Sequence, residues 1–189
     1  MTVSIKRVIL IYAVELLILV IVSLVGFYVG PLFISQSMVA SLQNQLESTV
    51  KLGPSSIFLH NLAIDTLMAI PVIGPFFFVF ALVTTGFVLG IYIAYAVNSI
   101  IVLIVALLVT MFLPHGIIEL LAYAFSTAGS LTFTRNLINS LRGRRRIGRS
   151  EVIALIIYYL ISVVLLYIAA NVEYFEITAL KSLIRVMIG

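Results

Sequence analysis

Charge is what this chain has least of. Asp, Glu, Lys and Arg make up 10% of its 189 residues, where a soluble domain carries about 25%. Apolar side chains make up 63%, mean hydropathy is +1.28, and gaps of more than 20 residues hold no charged side chain at all. Such a chain takes the bilayer as the solvent for its core. Cysteine is absent, which excludes a disulfide, a Cys-ligated zinc or iron–sulfur centre and thiol catalysis, and leaves the compartment unreadable from redox chemistry. There is no His-Glu-x-x-His helix, no Gly-x-Ser-x-Gly elbow and no Walker phosphate loop, so energised transport would need a separate ATPase. No Ala-x-Ala cleavage pattern follows the first apolar run, so that run reads as a retained helix and not a signal peptide. Sparse asparagine and abundant isoleucine suit a thermophile.

What is present divides the chain into apolar segments. Residues 8–34 form one run interrupted only by Glu15, long enough to cross a core of ~30 Å. Gly26 and Gly30 near its end are a small-xxx-small pair that lets helices approach closely. Residues 35–56 set Val39, Leu42, Leu46 and Val50 at helical spacing opposite Gln43, Asn44, Glu47 and Lys51, an external amphipathic loop stopped by Gly53-Pro54. From 57 to 138 the chain is apolar again but broken. Pro71 and Gly74-Pro75 cut off a short piece, Ile57 to Ile70; Phe76 to Val97 is a full span with a second close-packing pair, Gly86 and Gly90. Ser99 to Leu113 is short again, ended by Pro114 and Gly116, before Gly116 to Ile138 resumes. Short apolar segments bounded by Pro and Gly are what broken or re-entrant helices look like in sequence. Residues 139–150 form an arginine loop, 151–172 the last span, and 173–189 an interfacial tail. The expected fold is therefore a single all-α, polytopic helical membrane domain of about five to six hydrophobic segments, multi-pass in the cell membrane.

Polar residues inside these segments single themselves out by their cost. The only two histidines both sit beside acids: His60 with Asn61 and Asp65, and His115 with Glu119. An ionisable group at the bilayer centre costs roughly 2.5–3.5 kcal/mol on insertion scales, so it faces protein or water and can mark a site. On a helix begun at Gly116, His115 and Glu119 lie one turn apart on one face. The helix break there frees carbonyls that need donors, so the two knots are expected to lie together, one answering the other. Three readings follow from that pairing. The residues lock the register of the bundle, or they line a proton- or ion-linked polar path, or they form a metal site for intramembrane chemistry. The first is preferred, with no enzyme activity, cofactor or metal expected.

Basic residues gather elsewhere, in Arg142, Arg144, Arg145, Arg146 and Arg149. The positive-inside rule makes this loop cytoplasmic, and clustered arginines beside a membrane helix also suit an anionic lipid surface. Lys6 and Arg7 ask to be inside as well, yet five candidate segments lie between the two basic regions. An odd number of crossings cannot satisfy both. Either one short segment is re-entrant or the N-terminus is outside.

His60-Asn61 heading a short apolar helix, the glycines at Gly74, Gly86 and Gly90, and the run Leu113-Pro114-His115-Gly116-Ile117-Ile118-Glu119 followed by Ala122 and Gly129 together resemble the stage II sporulation protein M family, with its archaeal and bacterial relatives. The resemblance runs from Ile57 to about Leu141. This chain has Leu120-Leu121-Ala122 where the family usually has Leu-Pro-Ala after its Glu, so a second kink is not expected there. The resemblance implies a polytopic subunit of a membrane complex. The sporulating member works in forespore engulfment beside a peptidoglycan hydrolase whose activity lies in its partners, a task that does not carry over to archaeal relatives without murein. The partners expected are membrane lipids and other membrane-protein subunits, with homo-oligomers open and nucleic acid not expected.

Overall fold

The computed structural model describes residues 4–41, 44, 53–144 and 146–180, and the helical course of 181–188. Among them six principal helices carry the chain: α1 Ile5–Val29, α2 Pro54–Ala69, α3 Gly74–Ala96, α4 Ile100–Phe112, α5 Pro114–Leu141 and α6 Arg149–Ile188. A 3-10 turn, Gly30–Leu32, prolongs α1. Four of these, taken with that turn, are long and apolar enough to cross a membrane, namely α1, α3, α5 and α6. The molecule is an all-α polytopic membrane protein. Most of the amphipathic repeat in 35–56, from Leu42 onward, lies outside the described residues, as does Arg145.

Proline decides where the short helices stop. Ile70 and Leu113, each preceding a proline, are extended at ψ 123 and 151, the conformation that proline's Cδ forces on its predecessor. Glycine then lets the next helix start against the last turn of the previous one: a Cβ on Gly74 would fall on the Met68 carbonyl, and one on Gly116 on the Thr110 carbonyl. The α2–α3 turn is tight enough to hold Val72 at φ 72, an outlier for a β-branched residue. Its N–H is held by Thr134 Oγ1 at 2.7 Å, and Ser130 Oγ donates to the Ile70 carbonyl at 2.8 Å. A left-handed Gly143, φ 69, ends α5, where Gly143 and Arg144 N–H groups close on the Ser140 and Asn139 carbonyls at 3.0 Å.

Directions follow from these contacts. Ser4 N–H donates to Tyr158 OH at 2.7 Å, and the Arg7 guanidinium bonds Thr132 Oγ1. The head of α1 thus lies beside the tail of α5 and the head of α6, at the end that bears the arginine loop. Helix α3 starts at this arginine end, where Gly74 meets Ser130, and runs parallel to α1, Gly86 beside Leu19 and Gly90 beside Ser23 and Phe27. It finishes at the distal end, where Tyr95 OH donates to the Ile34 carbonyl at 2.6 Å. Helix α2 runs antiparallel to α6, Phe58 against Tyr167 and Thr66 against Tyr159. Helix α4, only 13 residues and so roughly 20 Å long, joins the distal end of α3 to the head of α5, which also lies in the distal half beside Glu176. It begins and ends in the same half, so it makes no crossing. Four helices traverse the bundle between Lys6-Arg7 and the arginine loop, and the even number puts both basic regions at one end.

The central element is α5. Two-thirds of its membrane window is buried (67%) against 28% for α1 and α6, and Tyr123 through Ser130 are buried without interruption. A helix surrounded by neighbours needs small side chains on every face, and this stretch is largely Ala, Ser, Thr and Gly. The α1–α3 pair is closer still. A Cβ on Gly26 would fall on the Phe87 carbonyl, one on Gly30 on the Ile91 side chain, and one on Gly90 on the Ser23 carbonyl. At the other end, residues 173–188 continue α6 as the same helix with no break before them. The stretch expected to be a separate interfacial tail therefore begins as a rigid extension of the last span.

Candidate functional site

Five of the protein's seven carboxylates gather in the middle and distal half of the bundle: Glu15, Asp65, Glu119, Glu173 and Glu176. A cavity of about 420 Å³ lies among them, walled by Leu19, Ile57, Ile64, Met68, Ala81 and Leu82 and made polar by His60, Asn61, His115, Glu119, Tyr123 and Glu173. Both histidine-bearing segments therefore line one space. Helix α2 brings His60 and Asn61 to it from one side; the head of α5, started by Pro114 and Gly116, brings His115 and Glu119 from another.

Partners differ from those expected. His115 Nδ1 pairs with Glu176 on α6, not with Glu119. Glu119 Oε1 instead accepts from Tyr123 OH at 2.9 Å, one turn along its own helix. Asp65 turns away from the cavity. It is fully buried, and its Oδ2 accepts from Ser126 Oγ at 2.9 Å and Ser162 Oγ at 2.6 Å, tying α2 to α5 and α6 at once. Hydroxyls, not imidazoles, satisfy the two internal carboxyls: two serines at Asp65 and the Tyr123 phenol at Glu119.

Glu15 is the residue that sequence reading passed over. It appeared only as an interruption of the first apolar run, yet it is 0% exposed and neither of its carboxyl oxygens has a hydrogen-bond partner. It sits within electrostatic reach of Glu119 and Asp65. Asp65 Oδ1, Ser23 Oγ and Thr127 Oγ1 are likewise buried without partners. A signal for Glu15 was present: Glu15, Leu19, Ser23, Gly26 and Gly30 recur at three- and four-residue intervals, one face of a helix, and all are buried. Glu173 and Glu176 lay in the presumed tail and could be found only once α6 was seen to continue.

Among the described residues, no three His, Asp or Glu side chains come together as a metal ion would require. Arg142, Arg144, Arg146 and Arg149 are exposed at the arginine end, well separated from the cavity. The helix-packing glycines belong to the α1–α3 contact; the break at Pro114 and Gly116 lies at the cavity, and that at Pro71, Gly74 and Pro75 forms the α2–α3 turn at the arginine end.

A family model described as "Stage II sporulation protein M" matches residues 15–176. That match takes in most of the chain, well beyond the Ile57–Leu141 stretch that carries the sequence resemblance, and the first and last matched residues are Glu15 and Glu176. No curated protein and no solved structure matches it. The chain belongs to the stage II sporulation protein M family.

Proposed function

We propose that this member of the family is a non-enzymatic subunit of a membrane assembly, placed with its arginine end in the cytoplasm, and that it organises partner proteins instead of turning over a substrate. The observation that carries this reading is the use made of the buried polar groups. Asp65 bonds to both α5 and α6, Glu119 to Tyr123, and His115 to Glu176. The Asp65 and His115 bonds each hold one register of greasy helices that lipid alone would leave free to slide, at about 0.6–2 kcal/mol apiece, while the Glu119–Tyr123 bond, within α5, satisfies the Glu119 carboxyl. Family membership adds that the related sporulation protein's complex keeps its hydrolytic chemistry in other subunits.

Tagged full-length chain, extracted from its native membranes in mild detergent, is expected to bring down one or more other membrane proteins in fixed proportion. Recovery of the chain alone, as a single monodisperse species, overturns the subunit reading. A homo-oligomer would show as a fixed multiple of the chain mass.

The second part of the proposal concerns lipid. Exposed Arg142, Arg144, Arg146 and Arg149 stand where a helix leaves the bilayer, and each such residue gains about 1 kcal/mol near an anionic leaflet. Changing Arg144 and Arg146 to Gln is expected to weaken binding to phosphatidylserine vesicles without moving the melting temperature, since exposed charges add little to stability. Unchanged vesicle binding would leave the arginines a purely topogenic role.

A further inference from the structure

The carboxyl of Glu15 has no partner in the scaffold just described, and the bundle bears its desolvation in full. Both oxygens are buried and unbonded, a state that a hydrocarbon interior tolerates only when the group is neutralised or holds a counter-ion. Two more carboxyls stand near it. Glu119, half-buried, faces the cavity; Asp65 is fully buried with one oxygen bonded twice and the other unbonded. Leu19, one turn along α1 from Glu15, is itself a cavity wall.

We propose that Glu15, Asp65 and Glu119 form a proton-exchange site inside the membrane, loaded from the distal face through the cavity. A space of about 420 Å³ has room for a file of waters, each with a share of about 30 Å³. His60, His115 and Glu173 stand along it as polar groups on three helices. A proton arriving there forms an O–H bond on Glu119. When that bond breaks, the proton passes to a Glu15 oxygen and Glu119 is ready for the next; the release is the reverse.

Among the described residues, ionisable groups from four helices face the site. Helix α1 contributes Tyr12 beside Glu15, α2 His60 and Asp65, α5 His115, Glu119 and Tyr123, and α6 Glu173 and Glu176. Helices α3 and α4 contain no Asp, Glu, His, Lys or Arg. Toward the arginine end, Ser130 and Thr134 are spent on the α2–α3 turn, and Arg7, bonded to Thr132, places a fixed positive charge there, the device by which pores reject protons. The site therefore exchanges with one face only, as a store or sensor and not as a leak.

Infrared difference spectra of the full chain in nanodiscs, between acid and alkaline buffer, test this. A protonated-carboxyl C=O band is expected that disappears on alkalinisation, loses intensity in Glu15→Gln and again in Glu119→Gln, and exchanges with deuterium. Thr85 on α3 also lines the cavity, and plugging it with Thr85→Trp is expected to slow that exchange severalfold while the band remains. Wild type without a pH-dependent carboxyl band, or a band untouched by both Gln variants, overturns the proposal. Loss of the band on adding sodium at constant pH assigns the site to a metal cation and overturns the proton reading. Dicyclohexylcarbodiimide labelling of wild type, located by mass spectrometry, needs no variant to fold; adducts on Glu15 or Glu119 that fall with rising pH are expected, and labelling confined to other carboxyls counts against the site.

Discussion

A single hydrogen bond separates two substitutions at Glu119. Its Oε1 receives the hydroxyl of Tyr123, a residue 7% exposed. Glu119→Gln keeps a carbonyl oxygen at that place, whereas Glu119→Leu leaves the phenol buried with nothing to donate to, a penalty of about 1–3 kcal/mol. Thermal unfolding in detergent is expected to rank wild type and Gln close together and Leu clearly below. Equal losses for Gln and Leu would mean that the Tyr123 bond contributes nothing to the fold. The same logic separates Asp65 from an ordinary buried acid. Two serines from different helices converge on one of its oxygens, so its side chain acts as a cross-brace for three elements.

Between elements, α1 and α3 approach closely, and their contact distinguishes two glycines that look alike in sequence. At Gly90 a methyl group would meet the Ser23 carbonyl and lie 2.6 Å from the Phe27 nitrogen, backbone that cannot move aside without separating the helices. Overpacking of this kind costs about 1–3 kcal/mol. At Gly86 the nearest atoms are the Leu19 carbonyl oxygen at 3.2 Å and Ser23 Oγ and Val22 Cβ at 3.3 Å, a crowding that a shift of a few tenths of an ångström relieves. There, a helix-propensity gain of about 1 kcal/mol from Gly to Ala offsets the crowding. Gly90→Ala is expected to lower the melting temperature and Gly86→Ala to leave it nearly unchanged. A reversed order would place the contact elsewhere on α3.

Seen whole, the molecule is polarised. Lys6, Arg7 and Arg142, Arg144, Arg146 and Arg149 share one end, while five of seven acids lie in the middle and distal half. Its lack of cysteine makes it a clean background for accessibility labelling. In sealed inside-out vesicles, Lys6→Cys and Arg144→Cys are expected to react with an impermeant maleimide and Asn98→Cys to be protected; right-side-out vesicles should invert the pattern. Labelling of Lys6→Cys and Arg144→Cys from opposite sides would break the four-crossing path, and labelling of both only from outside would reverse the orientation proposed for it.

What the residues determined by themselves is whatever local chemistry controls. Composition settled the membrane class. Pro71 and Pro114 set the ends of α2 and α4, because proline acts on its immediate predecessor, and the run around Pro114-His115-Gly116 with His60-Asn61 pointed to the family. The parity of the crossings was not legible, since a 13-residue apolar helix reads the same whether it crosses or doubles back; the contacts of its two ends decided it. Nor were the partners of the buried acids. His115 lies 61 residues from Glu176, and Asp65 97 from Ser162, and a pairing across such a separation has no local signature. Glu15 shows the limit most clearly. In the chain it is one polar residue in an apolar run, and only the packing of α1 against α3 and α5 turns it into an unbonded carboxyl beside two others, because burial is a property of the neighbours that the fold supplies.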